Sequence, residues 1–339
     1  MLINRKELLE QLESVLSGIS TREIIEQSSC FVFQDNMVMT YNDEIACTRK
    51  ACLPIKGAVI AMPLISILRK LKEDTLEITT DKEKLLIKGK RKKVGIRMDT
   101  EILLPIDTIG EEKPEKWKKL PGDFASALSS IQGCAGRDET RFALTCVHIT
   151  PKWIEACDGY QAARYKIKIE IDKPTLVRKE TIRYITNLDM SEFSETKNWI
   201  HFRNPSGLML SCRRWTEDYP KLSKLLDIKG TPTKFPKGLI ETVEKAQIFS
   251  AEGVETDRVE INLIPDKLRI RGEGSSGYYQ EVKNIKYKGK SLSFNVSAGL
   301  FLDLLRRHNS CEIAEDKLKI ATGNYEYITV LQSISKDKK

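Results

Sequence analysis

Residues able to do covalent or metal chemistry are few in this 339-residue chain and poorly spaced for it. His148, His201 and His308 are its three histidines, and they fall in different elements. No HxH, HExxH or Cys/His set has metal-ligand spacing, so no metal is expected. The eight cysteines (30, 47, 52, 134, 146, 157, 212 and 311) include no CxxC pair. Asp138, Glu139 and Asp158 offer the carboxylates a metal-dependent nuclease would need, but turn-building accounts for them more simply. The Gly-rich GEGSSG at 272–277 lacks the Lys-Ser/Thr of a phosphate-binding loop and reads as a flexible connection between strands. No GxSxG or Cys–His nucleophile arrangement stands out, so no catalytic residue or cofactor is expected.

What remains is charge. Lys and Arg number 56 against 48 Asp and Glu, a net charge of +8. That excess permits a polyanion partner without establishing one. The densest run, KGKRKK at 88–93, has the composition of a nucleic-acid patch. A solvated hairpin turn or a guarded strand edge explains it better.

The elements that carry these charges repeat at a spacing of about 115 residues, far longer than solenoid repeats. Each unit reads helix, strands, helix, strands. First helices carry apolar stripes at helical spacing: Leu8, Leu12, Val15, Leu16 and Ile19; Phe124, Ala127, Leu128 and Ile131; Leu239, Ile240, Val243 and Ala246. Strand runs follow, FVFQDNMVMTY, RFALTCVHIT with WIEACDG, and RVEINLIPDKLRIRG, with turns at Asp35-Asn36, Thr150-Pro151 and Pro265-Asp266. Second helices present Leu64, Ile67, Leu68 and Leu71; Ile182, Ile185 and Leu188; Leu300, Phe301, Leu304 and Leu305. Pro63 and Ser297 are start signals. Closing strand pairs are LEITTDKEKLLIKG, WIHFRNPSGLMLSC and CEIAEDKLKIATGNYEYITVL.

The links GEEKPEKWKKLPG and DIKGTPTKFPKG are rich in Pro, Gly and Lys. They divide the chain into domains at 1–118, 119–230 and 231–333, with a basic tail at 334–339. The pattern implies an α+β protein whose three similar domains each pack two helices on antiparallel sheet. Length suits two or three domains, and at 40% hydrophobic and 31% charged the composition is that of a soluble globular protein. Aromatics reach only 7%, so the cores must lean on Leu, Ile and Val.

No apolar run approaches the ~20 residues that span a bilayer, so no membrane partner is expected. The N-terminus MLINRKELLEQLESVL carries charges inside its apolar pattern, which argues against a signal peptide. The cysteines are expected to be reduced, buried as small hydrophobes, and the compartment to be the cytoplasm.

The stretch 124–163, FASALSSIQGCAGRDETRFALTCVHITPKWIEACDGYQAA, resembles the start of the middle domain of the bacterial DNA polymerase III beta sliding clamp, with a divergent or phage-type member among the alternatives. In the third unit, AQIFSAEGVETDRVEINLIPDKLRIRG and LSFNVSAGLFLDLL resemble the clamp's last domain. Tyr219-Pro220 and Leu225-Leu226 resemble the end of its second. The first unit fits by pattern more than by motif. The resemblance covers residues 1 to about 333 and implies the DNA-clamp fold, closed head to tail into a homodimeric ring. It implies a processivity factor that encircles double-stranded DNA. Partners would be a DNA polymerase catalytic subunit, a clamp-loader ATPase and other proteins carrying a clamp-binding motif. The alternative is a non-ring clamp-like DNA-binding accessory, or an inhibitor of a host clamp.

In clamps the helices line the hole. That implies DNA contacts for Arg69, Lys70 and Lys72 on the first unit's second helix, Arg178, Lys179 and Arg183 on the second's, and Arg306 and Arg307 on the third's. Lys237 and Lys245 add to these from a first helix, and Arg22 and Arg137 from loops. Scattered Lys and Arg suit a protein that attracts phosphates without reading bases. For each, a solvated helix face is the plain alternative. Arg141 reads as a turn-fixing residue.

The resemblance also implies a partner-peptide pocket at Cys157, Gly159, Tyr160, Gln161, Ala162, Leu226, Ile328, Val330 and Gln332. Clamps commonly carry Arg where Gln161 stands, Leu where Ala162 stands, and a Met-Pro-Met-like end where this chain has Val330-Leu331-Gln332, then SISKDKK. Ring closure would use Val94 and Ile96 against Ile248 and Phe249, which otherwise read as core.

Overall fold

The computed structural model describes residues 1–89, 91–106, 114–250, 258–314 and 316–333. Lys90 of the basic run, part of the first link and the 334–339 tail lie outside them. One element order runs three times: a short strand, a helix, four strands, a second helix, three strands, with the two-residue strand Gln332–Ser333 added after the third pass. The helix pairs are α1 (Arg5–Ser14) and α2 (Ala61–Lys70), then α3 (Phe124–Ile131) and α4 (Lys179–Asn187). After a single turn, α5 (Ser223–Leu226), come α6 (Leu239–Ser250) and α7 (Ala298–Arg307).

The apolar spacings fold as helices because each stripe finds a core. Leu8 and Leu12 of α1, Leu64 and Leu68 of α2, and all four stripe residues of α3 are buried. Within each pass the two helices pack on one another. The start of α1 is fixed by a residue the pattern did not single out: Asn4 Oδ1 accepts from the backbone N–H of Lys6 (3.0 Å) and Glu7 (3.1 Å). Ser297 caps α7 through Leu300 N–H.

The chain forms two compact units, one of residues 1–133, 139–154 and 167–218, the other of 134–138, 155–166 and Tyr219 onward. In the first, a twelve-stranded sheet runs through passes one and two. Its middle is a joint: Ile45–Lys50 pairs antiparallel with Met209–Arg213. The Asp35-Asn36 hairpin has both residues in the left-handed region, φ 53° and 59°, as a type I′ turn demands.

In the second unit, Gln161–Lys166 pairs with Tyr325–Val330 in the same way. Three strands continue that sheet, the last being Thr231–Lys234, which pairs with Ser310–Ile313 and ends it. A separate five-stranded sheet has Gly277–Asn284 at its edge. The GEGSSG segment is not a flexible loop but the tip of a long hairpin, with Gly274 opposite Gly277. Gly272 is needed there: a Cβ would stand 1.9 Å from the Ala246 carbonyl oxygen of α6. Only glycine lets that helix lie on the strand.

Both joints follow one rule. The third strand after the first helix of one pass pairs with the last strand of the next pass. All eight cysteines are free thiols, seven of them buried. Among the described residues no helix is long and apolar enough to cross a membrane.

Candidate nucleic-acid and partner interfaces

Basic residues end α2 and α7, where positive charge also complements the helix dipole, whereas on α4 Arg178 and Lys179 stand at the start. Arg69 and Lys70 occupy the last turn of α2, with Lys72 just beyond, and all three are exposed. Arg306 and Arg307 occupy the last turn of α7 and are exposed as well. Several of these arginines already have partners. Arg69 meets Glu13 of α1 at 2.8 Å, and Arg306 meets Glu244 of α6 at 3.0 Å. These ion pairs tie each second helix to its first. Lys237, Lys245, Arg22, Arg137 and Arg183 are exposed, and Lys179 is half-buried.

Arg178 differs from the rest. Its side chain is 15% exposed and donates two hydrogen bonds to Glu139, at 2.7 and 2.8 Å, and one to Thr145 at 2.9 Å. It lies over the Phe142 ring and within 3.5 Å of Glu180. Bonding to Glu139 drives its pKa further up. Glu139 is therefore held by Arg178, while Arg141 is exposed. Burial raises the pKa of nearby Glu44, opposed by the Arg178 charge. Arg178 thus builds the turn at Glu139 and offers little surface to a phosphate.

The peptide-pocket candidates converge in the second unit. Asp158 Oδ1 accepts from Tyr160 N–H (2.8 Å) and Gln161 N–H (2.9 Å), an Asx turn that Gly159 completes with φ 96°. Tyr160 carbonyl accepts from Val330 N–H at 2.8 Å. Gln161 faces Thr329 and Ala162 faces Ile328 across the strand pair. Tyr327 Oη donates to Gln161 Oε1 at 3.1 Å. Tyr219 Oη lies 3.6 Å from Cys157 Sγ, and burial drives the Tyr219 pKa up.

Cys157, Ala162, Leu226 and Ile328 are buried. Tyr160 is 75% exposed, and Val330 and Leu225 are exposed as well. Gln332 pairs through its backbone with Asn295.

Of the ring-closure candidates, Ile248 is 70% exposed and Phe249 half-buried, near Gly277. Val94 is half-buried, whereas Ile96 is buried in its own sheet. Missed from the sequence were Tyr278 and Val282, exposed on the Gly277–Asn284 edge strand. Their signal was the alternation in GYYQEVKN, where every second residue is exposed. Missed too was Glu281 on that strand. It accepts from Tyr279 (2.6 Å) and Thr242 (2.9 Å) and pairs with Lys283, which lowers its pKa to about 2.

The histidines are not gathered. His201 is buried, with Nδ1 2.7 Å from Ser211 Oγ and Nε2 3.1 Å from Thr196 Oγ1, and His308 stacks on Tyr325. Among the described residues no group of three His, Cys, Asp or Glu side chains is arranged to hold a metal.

This architecture is the sliding-clamp fold of DNA polymerase III beta subunits. A sliding clamp from Bacillus subtilis superposes with a TM-score of 0.83 at 16% identity, covering 98% of each chain. The beta subunit from Pseudomonas aeruginosa gives 0.80 at 16%, covering 98% of this chain and all of that one. The beta subunit from Thermotoga maritima gives 0.81 at 13%, covering 98% and 99%. No protein-family model and no curated protein sequence matches the chain.

Proposed function

We propose that this protein is a DNA sliding clamp, a non-catalytic processivity factor working as a closed homodimer around duplex DNA. The carrying observation is the clamp fold over nearly the whole length of both chains compared. The joint rule supports ring closure. Two third strands have found a last strand of the following pass. The third such strand, Gly277–Asn284, ends its sheet. The last strand of pass one, Lys92–Asp99, pairs along its length with Lys84–Gly89 but meets Gly57–Ile60 only at Met98 and Asp99. A second copy would bring these two edges together, with Ile248, Phe249, Tyr278 and Val282 beside them.

In this reading α1, α2, α3, α4, α6 and α7 face the duplex, and Lys70, Lys72, Lys237, Lys245 and Arg307 supply its charge. Tyr160, Val330 and Leu225 receive an extended peptide of a polymerase or another partner, and a loader ATPase opens the ring.

The test is native mass by light scattering over a dilution series. About twice 38.7 kDa is expected, falling to one chain in Ile248→Asp/Phe249→Asp. A parent that stays at one chain's mass would overturn the ring. The burial of Ile96 favours a second reading, an open clamp-like accessory or an inhibitor of another clamp, because it leaves Val94 and backbone as the first-pass contact. That outcome would select it.

A further inference from the structure

Three cavities follow the edge ladder Thr231–Lys234/Ser310–Ile313 in order. One of about 390 Å³ lies at Thr231 and Ile313, and one of about 380 Å³ at Pro232–Lys234 and Ser310–Glu312. One of about 570 Å³ lies beyond, between Lys234 and Asn309. Lys234 lines the second and third, and the first adjoins the second where Thr231 precedes Pro232 and Ile313 follows Glu312, so the three run in a row along one ladder as a furrow. Its walls carry Lys229, Lys234, Lys237, Lys286 and Lys290 against two carboxylates, Glu241 and Glu312. Lys288 is exposed on the same loop as Lys286 and Lys290. Among the described residues none of these six lysines is ion-paired, in contrast to Arg69, Arg178 and Arg306.

We propose that this furrow is a second nucleic-acid site that takes a single strand, separate from the helix faces that meet duplex. Unpaired lysines are mobile point charges that neutralise phosphates without fixing register. The largest cavity adds Phe235, Pro236, Leu239 and Leu305, an apolar floor against which unstacked bases can lie. Continuity argues for the same ligand class. The furrow opens beside His308, next to Arg307 at the end of α7, and Lys237 belongs to both surfaces. From Lys229 to Lys237 the chain reaches at most ~26 Å at ~3.3 Å per residue. That suits about four nucleotides, the lower end of single-strand site sizes. One flexible strand can follow the row of cavities, which a stiff duplex would bridge.

The experiment titrates the full chain into a fluorescein-labelled 20-nucleotide single strand and follows anisotropy between 50 and 200 mM salt. The variant is Lys234→Gln/Lys286→Gln/Lys288→Gln/Lys290→Gln, with the four Lys→Arg changes as the charge-keeping control. The expected result is at least tenfold weaker single-strand binding for the Gln variant, with a salt slope shallower by ~0.7 for each phosphate no longer neutralised. The Arg variant should bind as the parent does, and a 20-base-pair duplex should bind all three alike. Unchanged single-strand binding in the Gln variant overturns the proposal. So does competition by a glutamate-rich peptide of equal charge that matches the unlabelled strand, since the furrow would then take acidic protein. Neither result depends on ring closure, which the mass measurement judges separately.

Discussion

On the helix faces Arg69, Arg178 and Arg306 are answered by carboxylates; among the described residues the furrow lysines are not. Arg69, Arg178 and Arg306 each meet a glutamate within 3.0 Å, from a first helix or a turn of the same pass. The furrow lysines have no such partner among the described residues. The planar guanidinium fixes geometry, which suits it to holding helices and turns. The ammonium on its long stem remains available. A basic residue on one of these helices is therefore not by that fact free to meet a phosphate, and the stability of each variant separates the two kinds.

The largest effect should come from Arg178→Ala. It frees Glu139 from its turn and removes the charge that opposes the raised pKa of Glu44. Solvent screens the pair, because the Glu139 side chain is 64% exposed, so the loss should be about 2 kcal/mol, mainly from the bond to Thr145 and the packing over Phe142. Thermal unfolding of Arg178→Ala, Glu139→Gln and the double variant should show coupling. A stability loss below about 0.5 kcal/mol with weakened duplex binding would return Arg178 to the DNA face.

Next comes Glu326, which joins Arg164 and Lys319 at the second strand joint. Burial pushes its pKa up, but Arg164 and Lys319 together outweigh burial and hold it below the ordinary 4.5. Glu326→Gln should lose about 1–2 kcal/mol at neutral pH, as hydrogen bonds to charged groups do. Because the folded-state pKa is depressed, this contribution is present above 4.5 and fades as pH falls through the folded value. The gap between parent and variant should therefore close in acid. A gap that stays constant down to about pH 3, below the ordinary carboxylate range, would mean the carboxylate's charge is not what stabilises the joint.

The same division governs what was legible in the sequence. Helix stripes were readable because burial repeats at about 3.6 residues, and Phe124, Ala127, Leu128 and Ile131 all reached the core. The Asp35-Asn36 turn was readable because its chemistry is local. Joints were not: Ile45 meets Cys212 from far along the chain, and nothing in either strand names the other. Arg178 and Arg183 look alike at one helix, yet only Arg178 reaches a distant glutamate. The furrow was hidden for the same reason, since Lys234 and Lys286 belong to separate segments until the fold brings them to one cavity. Around Asp158 the tight turn was visible, and the resemblance placed Ile328 and Val330 beside it, but not their pairing with Gln161 and Ala162.

The smallest stability effects carry the finest comparison. Arg69→Gln breaks an exposed pair and should lose at most about 1 kcal/mol. Lys70→Gln/Lys72→Gln, on either side of Leu71, breaks no ion pair among the described residues and should leave the unfolding temperature unchanged. Duplex affinity should behave the other way round. The lysine pair should lower the salt slope by about 0.9 for each phosphate it had neutralised, while Arg69→Gln should barely move it. If instead Arg69→Gln changes the slope as much as the lysine pair does, its bond to Glu13 opens in the presence of DNA. The arginines would then be reserve contacts, and Arg306, tied to Glu244 in the same way, should behave likewise.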